Sequence, residues 1–190
     1  MAFIAFPSGL EYPGLAALTG ELPLNGAEQT LYLNAMRTLF ILDGLFLLGW
    51  ILSWVALGKL VHSRLPLFGL LTLIFGLAGA LLDFSENSII WGVIQNFASG
   101  AVQSNAWIVS WKAVQHLSYW LPFIGAVFAA CALWSKNLLD KLTAITGTLL
   151  VIPAVMGLYL PAFAMFSNVW FLLWFAIVAV LLWRRSSEII

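Results

Sequence analysis

"PLFGLLTLIFGLAGALLDFSENSII", residues Pro66 to Ile90, decides the fold. Its uncharged part runs from Pro66 through Leu82, close to the roughly 20 apolar residues that a helix needs to cross a hydrocarbon layer about 30 Å thick. At its far end Asp83, Glu86 and Asn87 arrive together. Upstream, Gly69, Thr72, Gly76, Gly79 and Ala80 recur at helical spacing, and with those three polar residues they occupy one arc of about 120°. Small residues on one face let helix backbones approach closely in lipid, so the seam predicts a helix that turns this arc toward other helices.

The rest of the chain has the same character. Of 190 residues, 63% are hydrophobic and 8% charged, and the mean hydropathy is +1.01, whereas a soluble domain carries about 25% charged residues. The composition predicts an all-α, polytopic membrane helix bundle whose first partner is the lipid bilayer. Eight basic and eight acidic residues cancel, and the bases form no patch interleaved with aromatics, which argues against a nucleic-acid partner. Cys131 stands alone, so there is neither an internal disulfide nor a cysteine metal cluster. The start, "MAFIAFPSGLEYPG", lacks the basic region and apolar run of a secretion signal, and Pro7 and Pro13 interrupt it. Insertion is then directed by the hydrophobic segments themselves, as in a bacterial inner membrane or a comparable organellar membrane.

Apolar runs bounded by breakers predict about five transmembrane helices, over Thr38 to Leu57, Pro66 to Ile94, Ala106 to Trp134, Leu142 to Leu160 and Asn168 to Trp183. Residues 1–25 read as an irregular outer segment, 26–185 as a single transmembrane bundle and 186–190 as a short cytoplasmic tail. "NGAE", Asn25 to Glu28, resembles a helix start with Asn25 as cap and Glu28 reaching back to it. A helix from there to Val61 is roughly 54 Å long, so its first turns project beyond the hydrocarbon or lie on the interface. Lys59 and Arg64 fall in the first joint, Lys136 and Lys141 in the joint "SKNLLDK", and Arg184 and Arg185 after the last span. Basic joints stay on the cytoplasmic side, which places the N-terminus outside and the C-terminus in the cytoplasm. Trp91, Trp107, Trp111, Trp170 and Trp174 then fall toward the outer interface and Trp134 and Trp183 toward the inner one, as an aromatic belt. Pro153 and Pro161 predict a kink in, and a turn after, the fourth span.

With direction assigned, position converts to depth. Asp43 lies about 8 Å below the outer end of the first helix, Asp83 about 25 Å and Glu86 about 30 Å above the cytoplasmic end of the second, and Lys112 and His116 roughly 9 and 15 Å below the outer surface. Lys112, Gln115, His116 and Tyr119 are spaced i, i+3, i+4, i+7, a polar stripe on an apolar helix. A lone charge at mid-bilayer costs about 2.5 to 3.5 kcal/mol, so the charges should pair. The sequence thus predicts a buried polar cluster of Asp43, Asp83, Glu86, Asn87, Lys112, Gln115, His116 and Tyr119, with Arg37 at its rim. Three acids against two bases leave an excess negative charge, to be met by a protonated His116, a protonated carboxyl or a bound cation.

Three functions compete for this cluster. It can clamp helices in a non-catalytic protein that serves as an accessory or scaffolding subunit beside other membrane subunits, because the soluble parts are too small for a catalytic domain. It can pass a proton or cation in a small coupled transporter. His116 can ligate a haem or pigment. Metal chemistry lacks its ligands: the histidines stand apart and the paired Glu-x-x-His helices of a di-iron bundle are absent. No nucleophile sits at a spacing that gives it a base, so the chain reads as no enzyme and no catalytic residue is assigned. Asp83-x-x-Glu86-Asn87, preceded by "GLAGALL" and followed one helix later by Lys112, resembles a pattern in small uncharacterised bacterial multi-pass membrane proteins. That resemblance implies that the acids act together with Lys112; it implies no activity.

Overall fold

The seam-bearing stretch is helical from Pro66 to Ala98 in a computed structural model of the chain. The structure describes residues 26–98, 105–135, 137–157 and 161–186, and among these the elements are all helices: α1 (Gly26–His62), α2 (Pro66–Ala98), α3 (Asn105–Leu133), α4 (Leu138–Leu149), α5 (Val151–Gly157) and α6 (Pro161–Arg184). Helix α1 begins at the residue after Asn25; Asn25 itself and the expected outer segment 1–25 lie outside the described residues. Between α1 and α2, the Arg64 and Leu65 N–H groups return to the Val61 carbonyl at 3.0 and 2.9 Å. Pro66 then opens α2, where its missing N–H is no loss.

Three expected boundaries are corrected. Leu138 to Lys141 are not a loop but the first turn of α4, because the Asn137 side chain accepts the Leu139 N–H at 3.0 Å and caps the helix there. The expected fourth span, Leu142 to Leu160, is broken at Leu150. Pro153 has no N–H to give the Leu149 carbonyl four residues back. Helix α6 starts at Pro161, not near Asn168, again with proline in the first turn.

By its contacts the chain divides into two compact units, residues 1–47 with 82–116 and residues 48–81 with 117–190. In the second unit the seam does what its spacing predicts: Gly69, Thr72, Gly76, Gly79 and Ala80 are all buried. A Cβ on Gly76 would overlap the Trp54 indole, and one on Gly79 would overlap the Pro122 ring. The missing side chains are therefore occupied space, filled by Trp54 from α1 and Pro122 from α3. Trp54 is fully buried and packs on Trp174 at 5.6 Å between ring centroids.

Trp174 corrects the expected aromatic belt. It is fully buried, and its indole Nε1–H donates to the Thr143 carbonyl at 3.1 Å, beside Gly147, whose lack of a Cβ leaves room for the ring. One turn earlier the Trp170 indole donates to the Thr146 carbonyl at 3.0 Å. Helix α6 thus supplies donors to two carbonyls of α4, one of which, Thr146, lies in the last turn, where the helix's own N–H groups run out. Trp134 and Trp183, 63% and 79% exposed, do lie at the surface.

Among the described residues two helical stretches, Phe40–His62 and Pro66–Gly92, are long and apolar enough to cross a membrane; Trp120–Leu133 and Val169–Arg184 are apolar but shorter. Only 22% and 28% of the most apolar windows of the two long stretches are buried. Ile41, Leu45, Leu52, Leu67 and Leu81 all stand exposed. A core helix of a soluble domain would turn such residues inward.

Candidate functional site

The first unit holds the acids. Asp43 on α1 and Asn87 on α2 are brought together: the Asn87 Nδ2–H donates to Asp43 Oδ2. Both residues are partly buried, as are Asp83 and Glu86. The carboxyls of Asp43 and Glu86 each repel that of Asp83. Its Oδ2 is buried and accepts no hydrogen bond from a described residue. Nearby, Phe40 and Trp91 meet edge to face at 5.5 Å, a second contact between α1 and α2 within the unit. Arg37 is exposed on α1. The backbone of Lys112, Gln115, His116 and Tyr119 is helical within α3, but their side chains lie outside the described residues. Among the described residues, no three histidine, cysteine, aspartate or glutamate side chains converge as a metal site would require.

The second unit holds a cluster that the sequence reading passes over. Asp140, in the first turn of α4, has a side chain only 1% exposed. Its Oδ2 accepts from Arg64 Nη2 at 2.9 Å, from Arg185 Nη2 at 3.1 Å and from the Ser135 hydroxyl at 2.9 Å. Ser135 Oγ in turn accepts the Asn137 N–H at 3.1 Å, so the cap of α4 and the ion cluster share a residue. Asp140 Oδ1 is buried and receives no hydrogen bond from a described residue.

Each member is positioned by its local sequence. Arg64 sits in the two-bond turn after α1, Asp140 follows the Asn137 cap, and Arg185 continues the last turn of α6 through its N–H to the Leu181 carbonyl at 3.0 Å. Burying a lone carboxylate is costly, and charge-assisted bonds from two guanidiniums and a hydroxyl offset that cost. The sum over the cluster is one positive charge, from two cations and one anion. Its members are 76 and 45 residues from Asp140 along the chain, beyond the reach of helical spacing rules. One signal was legible: Asp140 is the sole acid in the two basic joints between spans that the charge pattern assigns to one side of the membrane.

Among the described residues, neither arrangement assembles a nucleophile with its base. The Ser135 hydroxyl is spent on a carboxylate already bound by two cations, and the His62 Nδ1–H donates to the Pro66 carbonyl at 3.0 Å, an exposed contact that ties the α1–α2 turn. No protein-family model matches the chain, and no curated protein or solved structure shows detectable similarity to it.

Proposed function

We propose that the chain is a polytopic inner-membrane protein of about five transmembrane helices, with its N-terminus outside and its C-terminus in the cytoplasm. In this reading it acts without catalysis, as an accessory or scaffolding subunit within a larger membrane complex. The observation that supports it best is the outward display of apolar side chains along Phe40–His62 and Pro66–Gly92, whose most apolar windows are only 22% and 28% buried. Lipid or partner helices are the surroundings such faces fit. The polar groups within the helices engage one another across elements, as Asn87 and Asp43 do, which suits a role in holding helices. Gentle extraction from native membranes followed by native mass spectrometry tests the reading. A particle that contains this chain with other membrane subunits is expected; a clean monomer without partners sinks it. Protease protection of tags at the two ends tests the orientation, with only the N-terminal tag cleaved from outside.

A second reading, a proton- or cation-coupled carrier, is favoured by one feature: the buried Oδ2 of Asp83 beside the Asp43–Asn87 pair. It expects a proton or cation flux in liposomes that Asp83→Asn or Glu86→Gln abolishes while the fold stays intact. Equal flux in the variants and the parent chain rejects it.

A further inference from the structure

We infer that the core of the second unit holds a bound water molecule, shared by the Trp54 indole and the Thr72 hydroxyl where α1, α2 and α3 meet. Both side chains are fully buried, and neither the Trp54 Nε1–H nor the Thr72 Oγ1 has a hydrogen-bond partner among the described residues. A polar group left unpaired in apolar surroundings is costly, and buried water is the usual partner of such groups.

Thr72 departs from the habit of its neighbours. Thr38, Ser53, Ser88, Thr143 and Thr148 each donate to the carbonyl four residues back in their own helix, at 2.8 to 3.1 Å. For Thr72 that acceptor is the Phe68 carbonyl, yet its hydroxyl makes no such bond. The hydroxyl is turned away from the acceptor that helix geometry offers it.

Trp54 lies on the same turn of α2. Gly76 is four residues after Thr72 and on the same helix face. A Cβ there would overlap Cγ and Cδ2 of Trp54, atoms of the five-membered ring that also carries Nε1. At the other end of the indole, a Cβ on Gly125 of α3 would stand 3.3 Å from Trp54 Cη2 and 3.3 Å from the Thr72 carbonyl. The indole therefore spans the turn from Gly76 to Thr72. An indole N–H only donates, whereas a hydroxyl donates and accepts; water does both and joins the two. A cation is a poor match, because the indole presents a proton. The Phe175 ring, 5.7 Å from Trp54 between centroids and inclined at 84°, is the rival partner for that N–H.

The test uses the full chain with isotope-labelled tryptophan in detergent micelles, read by nuclear magnetic cross-relaxation between indole N–H protons and long-lived water. Trp54→Phe identifies the Trp54 resonance among those of the ten tryptophans. A water cross-peak is expected at Trp54 and none at Trp174, an equally buried indole whose N–H already donates to the Thr143 carbonyl. Thr72→Val should abolish the Trp54 cross-peak and Thr72→Ser should keep it, with an unshifted Trp174 resonance reporting an intact fold. The bonds of such a water are largely offset by its immobilisation, so the cross-peak and not the stability is the readout. No water cross-peak at Trp54 in the parent chain overturns the proposal, and an upfield N–H shift alongside would assign the proton to the Phe175 ring. A cross-peak that persists in Thr72→Val also overturns it, because water would then reach the indole without Thr72.

Discussion

The two polar clusters solve opposite problems. At Asp140 a single buried carboxylate collects two guanidiniums and a hydroxyl, so the charges attract. At Asp83 the neighbouring carboxyls of Asp43 and Glu86 repel it, and a neutral amide, Asn87, is the partner that joins Asp43. The first holds the turn after α1 to the start of α4 and the end of α6. Each leaves one buried carboxylate oxygen, Asp140 Oδ1 and Asp83 Oδ2, with no hydrogen bond from a described residue, so the difference lies in the charges around it. Stability is thus expected to reside in the Asp140 cluster, whereas the acidic one sets like charges beside Asp83.

The largest test of this contrast is Asp140→Ala, which leaves two arginines facing a buried hole; unfolding in detergent should show a loss of about 3 to 5 kcal/mol. A loss under about 1 kcal/mol would mean that the ion cluster is incidental. Next comes the seam: Gly76→Val drives a side chain into Trp54 and should cost about 1 to 3 kcal/mol by the same measurement. The acidic cluster should respond in two directions. Asn87→Ala removes the donor to Asp43 and should lower stability by about 1.5 kcal/mol, while Asp83→Asn removes a repelling charge and should raise it by about 1 kcal/mol. If Asp83→Asn instead destabilises as much as Asp140→Ala, the two clusters are the same kind of clamp. The smallest effect belongs to Thr72→Val. The Thr72 hydroxyl is fully buried without a hydrogen-bond partner among the described residues, so its removal should be neutral or stabilise by up to about 1 kcal/mol.

Periodicity read well where one helix decides its own fate. The seam from Gly69 to Ala80 could be recognised because burial of one face repeats at helical spacing, and the structure fills that face with Trp54 and Pro122. The extent of α3 followed from its apolar run, whereas α1, Gly26–His62, outruns the span predicted over Thr38 to Leu57 and matches the helix start read at "NGAE". Reading failed at "SKNLLDK", where a high local charge looked like a loop although Asn137 caps a helix within it. It failed also at Trp174, since an indole's hydropathy does not reveal whether it faces the interface or bonds a carbonyl of a neighbouring helix.

From the sequence by itself come the apolar composition, the helical class, the two long apolar stretches and the small-residue face of α2. These are local properties, set by what each run of residues can bury or expose and by the need of every backbone group for a partner. Only the tertiary structure decided which polar groups meet. Asp140 finds Arg64 and Arg185 across 76 and 45 residues, and Asp43 finds Asn87 across 44. Such pairings depend on where helices begin and break and on which faces pack, and helical spacing along the sequence carries no record of contacts over those separations.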